Sequence, residues 1–166
     1  MNILRLSGGL FLVICGFLGG VFMTERLKAR ASFMGQYVRF LTQAQAIIGY
    51  TAAEADELFS SVRGVPMLRP VLEGTKREMK KGEKLDTAWK RSVDSNVYSS
   101  EDRKLLYYFG ETFGTSNVEG ELSKLALHRD SAERMYSEYL EEVRVKKKLY
   151  KTVGFFCGAL AAALLV

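Results

Sequence analysis

The chain has 166 residues, enough for one domain, and 48% of them are hydrophobic. The mean hydropathy is nevertheless −0.03, because the apolar residues concentrate at the two ends of the chain. The formal net charge of +5 does not indicate nucleic-acid binding, because Ser32 to Val143 contains 15 basic and 18 acidic residues.

The first predicted element is an apolar stretch over residues 3–23, whose only charged side chain is that of Arg5. As a helix, this stretch is long enough to cross a bilayer core of roughly 30 Å. A cleaved signal peptide is the alternative, but its apolar region would be shorter. Ala29-Arg30-Ala31 also lies too far beyond the apolar run to serve as a cleavage site. The stretch therefore predicts an uncleaved transmembrane helix.

The next three predicted helices follow from apolar periodicity and from residues that start or stop helices. Gly49 ends the first stripe, and residues 51–54 form a capping box that opens the second helix. Pro70 is tolerated only in a first turn, so the third helix begins there or shortly before, and Gly82 ends it. The side chains predicted to face inward are Phe33, Tyr37, Phe40, Leu41, Ala44, Ile47, Ile48, Ala55, Leu58, Phe59, Val62, Val71, Leu72, Thr75 and Met79.

Three further helices complete the middle of the chain. Asp86 is predicted to cap the fourth helix, and either Ser99 or Ser100 the fifth. The sixth runs from Asn117 to about Lys148 with an apolar four-three spacing that Arg129 interrupts. The predicted inward side chains are Ala88, Trp89, Val93, Leu105, Leu106, Phe109, Thr112, Phe113, Val118, Leu122, Leu125, Ala132, Tyr136, Tyr139 and Val143.

Short joints between these helices predict an all-α six-helix bundle over residues 28–148. The joint between the fifth and sixth helices reads F-G-E-T-F-G-T-S over residues 109–116. Gly114 suits the left-handed position just past a helix end. Residues 116–119 form a capping box, and Gly110 marks a place where another backbone comes close.

The last predicted element is an apolar stretch over residues 150–166, read as a second transmembrane helix. Its uncharged part begins at Thr152, and Lys151 can snorkel to the interface. Basic residues flank both predicted spans on the side of the middle domain, which places that domain in the cytoplasm and both termini across the membrane. These residues are Arg26, Lys28, Arg30, Arg144, Lys146, Lys147, Lys148 and Lys151.

No pattern in the sequence indicates an enzyme, a metal site or a cofactor. The single histidine, His128, has no second histidine beside it, and Cys15 and Cys157 both lie in the apolar ends. There is no phosphate-binding glycine loop and no nucleophile elbow. An enzyme using paired carboxylates would need a pocket with perturbed acids. We therefore expect a non-enzymatic protein.

One face of the fifth helix is a candidate partner-binding surface. At about 100° per residue, Glu111 and Tyr107 lie opposite the apolar stripe, with Gly110 and Gly114 at the edge of the same face. The face could bind a partner protein or be lightly covered by the sixth helix. A helix–turn–helix joint needs such glycines in either case.

Three motifs occur in an order that resembles known proteins: residues 49–55 (G-Y-T-A-A-E-A), 81–89 (K-G-E-K-L-D-T-A-W) and 109–116. They are similar to the cytoplasmic F domain of type II secretion and type IV pilus platform proteins. Those proteins carry two such domains and three spans. One domain between two terminal spans is closer to the stage III sporulation protein AB family of endospore-forming bacteria.

The resemblance implies a scaffolding role in the channel between mother cell and forespore. The protein would lie in the outer forespore membrane, with its domain in the mother-cell cytoplasm. Its expected partners are a secretion-type ATPase (stage III sporulation protein AA), other channel proteins of stage III, membrane lipids and, as a possibility left open, further copies of itself. The alternative is a platform subunit of a pilus or type II secretion system.

Overall fold

The computed structural model describes residues 2–51 and 55–165, and it describes only some of the side chains in the outer parts of the first and last helices. All secondary structure in these residues is helical, which confirms the all-α, six-helix prediction. The helices are α1 (Asn2–Thr51), α2 (Ala55–Ser61), α3 (Arg69–Met79), α4 (Leu85–Asn96), α5 (Ser100–Thr112) and α6 (Val118–Leu165).

The structure does not confirm the two predicted membrane spans. Within that part of the chain, no helix is long and apolar enough to cross a membrane. The predicted spans over 3–23 and 150–166 fall for the most part on residues whose side chains lie outside the description. The predicted capping box over 51–54 also falls largely outside it.

The chain divides into two compact units. One consists of the residues before Phe33 and after Tyr136, and the other runs from Phe33 to Tyr136. In the first unit, the Arg30 guanidinium lies 4.1 Å from the centre of the Tyr139 ring and donates a 2.5 Å hydrogen bond to its hydroxyl. This contact joins the amino-terminal and carboxy-terminal helical segments of that unit.

The core of the second unit is a cluster of aromatic rings. Phe40 of α1, Phe59 of α2 and Phe109 of α5 surround the indole of Trp89 on α4, with ring centres 4.8 to 6.1 Å from it. The indole nitrogen of Trp89 donates a 2.7 Å hydrogen bond to the carbonyl oxygen of Leu106, so the one polar atom of that ring is satisfied. Four helices therefore share one centre, and Trp89 is fixed within it.

Several helix boundaries follow the sequence signals, but α1 continues through Gly49 to Thr51. Pro70 lies in the first turn of α3, and Gly82 follows its end with a φ of 94°. The hydroxyl of Ser99 accepts the amide of Asp102 at 3.3 Å and caps α5. Asp86 does not cap α4, because the helix already begins at Leu85 and Lys84 occupies the cap position. Asp86 instead contributes a negative charge to the first turn.

Candidate docking surface

An open groove of ≈ 490 Å³ lies between α4 and α5. Tyr107 and Glu111 form its α5 side, so the structure brings these two predicted residues together. They are one helical turn apart and therefore share a face. The α4 side was not predicted, although its charged and polar residues recur at helical spacing on one face. The α4 residues are Asp86, Thr87, Lys90, Arg91 and Asp94.

Tyr107 is held in the groove by charged neighbours. Its hydroxyl donates a short hydrogen bond to the Asp94 carboxylate, and that bond raises the pKa of the phenol above its ordinary value. The Lys90 ammonium lies 5.3 Å from the centre of its ring. Arg103 contacts the same Asp94 carboxylate at 3.5 Å. The ring is therefore fixed in place while part of it stays accessible.

Glu111 differs from Tyr107 because its carboxylate is uncommitted. The residue is exposed, and the described part of the chain gives it no hydrogen bond or ion pair. An exposed carboxylate without an internal partner can pair with an outside cation at no cost to the fold. Glu111 is thus the residue of the groove best placed to contact a partner.

Gly110 serves packing inside the bundle. A Cβ atom built on it would lie 2.5 Å from Cδ1 and 2.9 Å from Cγ of Trp89, well inside van der Waals contact. The sequence interpretation expected another backbone at this position, and the neighbour is instead the Trp89 side chain. Gly110 is buried and does not line the groove with Glu111.

Gly114 adopts the predicted left-handed conformation, with a φ of 77°. Nothing lies within 4 Å of a Cβ built on it, so backbone conformation, and not space, favours glycine there.

The predicted capping box over 116–119 is wrong, because other residues cap the start of α6. The Asn117 side chain accepts the Gly120 amide at 3.0 Å, and Glu121 accepts the amides of Thr115 and Ser116 at 3.1 Å.

His128 is buried, and this was not predicted. Its Nε2 lies 2.7 Å from the hydroxyl of Tyr37, and the ring of Tyr108 lies 5.0 Å from its own. Burial lowers the pKa of His128 to about 4, so the imidazole is neutral at pH 7. His128 lies between Leu125 and Ala132 in the buried stripe of α6. The sequence interpretation had instead seen this stripe interrupted at Arg129.

Comparison with known proteins identifies one family. A model of the family described as stage III sporulation protein AB matches residues 5–166, nearly the whole chain. No curated protein and no solved structure gives a significant match.

Proposed function

Since this chain belongs to the stage III sporulation protein AB family, we propose that it is a non-enzymatic membrane component of the channel between mother cell and forespore. In this role it couples a cytoplasmic secretion-type ATPase, stage III sporulation protein AA, to the membrane complex. The residue 33–136 unit acts as a mechanical link, and the apolar ends hold the chain in the outer forespore membrane.

The observation that carries the coupling role is the groove between α4 and α5. Its α5 side offers a fixed aromatic ring, Tyr107, next to the uncommitted carboxylate of Glu111. Tyrosine is among the residues most enriched at the energetic centres of interfaces. A pre-ordered ring loses little conformational freedom when a partner docks, which favours binding.

Exposed apolar side chains support the membrane part of the proposal. Leu18 and Phe22 of α1 are 57% and 61% exposed, and Phe156 and Leu160 of α6 are 59% and 66% exposed. Leaving four such side chains in water is unfavourable, whereas hydrocarbon would solvate them. The basic residues that flank both apolar stretches orient the 33–136 unit toward the cytoplasm.

The test is a pull-down of the ATPase from a purified mixture with the full chain carrying Glu111→Lys. The reversed charge opposes whatever cation pairs with Glu111, so we expect a loss of captured ATPase of at least tenfold. Glu138→Lys is the matched control, because Glu138 is also exposed, lies on a helix and is not part of the groove. It should leave capture unchanged.

Thermal unfolding of both variants separates binding from folding. Exposed substitutions usually shift the free energy of unfolding by about 0.5 kcal/mol or less, so both variants should melt like the parent chain. Undiminished capture by Glu111→Lys would remove this groove from the mechanism. Loss of capture together with unfolding would assign Glu111 to the structure.

A further inference from the structure

The turn between α3 and α4 concentrates positive charge on the 33–136 unit. Residues 76–84 contain five cations and only two acids, Glu78 and Glu83. No aromatic residue occurs in this segment. We call it the basic turn. Its cations are Lys76, Arg77, Lys80, Lys81 and Lys84.

Both acids of the basic turn are directed to internal partners. Glu78 accepts Lys81 at 2.7 Å and Arg91 of α4 at 2.8 Å, and its side chain is only 13% exposed. Glu83 contacts the same guanidinium at 3.3 Å. Lys80 and Lys84 are exposed, and the described residues give neither an acidic partner. Lys76 and Lys81 pair with Asp56 and Glu78, so Lys80 and Lys84 carry the uncompensated positive charge of the turn.

The turn is also held in a fixed shape. Gly82 reverses the chain with a positive φ, and three consecutive amides, those of Lys81, Gly82 and Glu83, donate to carbonyls at the end of α3. Below the turn, the hydroxyl of Ser92 on α4 donates a 2.7 Å bond to the carbonyl of Val71 on α3. The cations therefore project from an ordered scaffold, as binding loops commonly do.

We propose that the basic turn is a second contact surface, which binds an acidic protein segment rich in aspartate and glutamate. This inference rests on the proposed docking role, because Arg91 both anchors the acids of the turn and lines the groove. A partner seated in the groove would therefore reach the turn. Complementary charge of this kind raises association rates and selects among partners.

The composition of the turn favours a carboxylate partner over a phosphate one. Phosphate and nucleic-acid sites favour arginine for its bidentate fork, whereas four of the five cations here are lysines. Without an aromatic ring, the turn also has no platform on which bases could stack. Lipid-binding clusters commonly lie beside an apolar anchor, and residues 76–84 lie more than fifty residues from both apolar ends.

The experiment measures binding of a fluorescein-labelled peptide of ten glutamates to the purified full chain by fluorescence anisotropy. The double variant Lys80→Glu, Lys84→Glu should bind the peptide at least tenfold more weakly than the parent chain. The matched control is Lys104→Glu, Arg134→Glu, which changes the net charge equally at exposed positions outside the turn. It should bind within twofold of the parent.

Further arms exclude poor folding and the rival ligands. Fluorescence of Trp89 reports whether each variant is folded, and Lys80→Gln with Lys84→Gln repeats the test without reversed charges. Vesicles of phosphatidylcholine and phosphatidylglycerol (70:30) and a 20-nucleotide single-stranded RNA are titrated in parallel. Equal peptide binding by the turn variant and its control would overturn the proposal. So would a tenfold loss of RNA or vesicle binding with the peptide unaffected.

Failure of the basic-turn proposal is distinguishable from failure of the proposed function, because the peptide assay contains no ATPase. If Glu111→Lys still captures the ATPase while the turn variant loses the peptide, the groove assignment fails and the basic turn stands. If capture is lost but the peptide binds both double variants equally, the groove assignment stands and the basic turn fails.

Discussion

Substituting Gly110 by alanine tests whether this glycine exists to admit Trp89. A Cβ at this position would lie 2.5 Å from Trp89 Cδ1, whereas favourable carbon–carbon contacts lie at about 3.5 to 4.0 Å, so a displacement of about 1 Å is required. Trp89 cannot easily supply it. The indole is bonded to the Leu106 carbonyl and lies among the rings of the aromatic core.

The expected magnitude follows from three opposing effects. Forcing a methyl group into a packed core costs about 1 to 3 kcal/mol. Weakening the indole hydrogen bond costs about 1 kcal/mol more, and the higher helix propensity of alanine returns about 1 kcal/mol. We expect Gly110→Ala to lower the free energy of unfolding by about 2 kcal/mol. For a unit of this size the melting temperature should fall by roughly 10 °C.

Gly49→Ala is the matched control for this prediction. Gly49 is also helical, but a Cβ built on it would lie 3.9 Å from Leu122, an ordinary contact. The control should therefore be neutral or stabilising by up to about 1 kcal/mol. The assay is thermal unfolding of the full chain in mild detergent, followed by circular dichroism and by the fluorescence of the single tryptophan, Trp89. A Gly110→Ala variant that melts at or above the parent temperature would refute the packing role.

Three other predictions concern pH, the turn and the membrane. The folded-state pKa of His128 is about 4 and that of an unfolded histidine about 6.5, so the unfolded chain binds more protons between these values. Stability should fall by about 3 kcal/mol as the pH drops through this window, and His128→Gln should flatten that dependence in acid titrations. Gly114→Val should cost more than 1 kcal/mol in a thermal melt, because a β-branched residue fits φ 77° poorly. Cysteines placed near Asn2 and after Val166 should be labelled from outside intact cells, and one at Ser95 should not.

Each of these three predictions can be contradicted by a specific result. A pH dependence that persists without the imidazole would assign the acid sensitivity to carboxylates. An unchanged melting temperature for the valine variant would contradict the left-handed turn. Labelling of the cysteine at position 95 from outside would contradict a cytoplasmic domain.

Local signals in the sequence were sufficient for much of the fold. Pro70, Gly82 and Gly114 have backbone requirements that only a few positions satisfy, and the structure places all three accordingly. The inward stripe of α1 was also predictable, since Tyr37 and Phe40 recur at helical spacing and are fully buried.

The wrong predictions concern contacts that the order of residues in the sequence does not specify. Gly110 looked like an edge position because a helical wheel shows α5 alone, whereas Trp89 of α4 packs against both Gly110 and its neighbour Phe109. The capping prediction chose Glu119, but Glu121 is the residue that reaches the turn amides. The contact of Gly110 depends on how α4 packs against α5, and that of Glu121 depends on the conformation of the turn before α6. Residue spacing specifies neither.

Only the α5 side of the groove could be predicted from the sequence. Tyr107 and Glu111 are one turn apart, so their shared face follows from helix geometry. That α4 would form the other wall of the groove depends on the pairing of two helices. The bond between Tyr107 and Asp94 depends on the same pairing.

The proposed docking of the ATPase in the α4–α5 groove can be tested by photo-crosslinking in sporulating cells. A benzoylphenylalanine at Tyr107 places the reactive group inside the groove, and one at Leu127, 61% exposed on α6, is the control. We expect the Tyr107 probe to form a covalent adduct with stage III sporulation protein AA and the Leu127 probe to form none. An adduct only from Leu127, or none with the ATPase from either position, would contradict it.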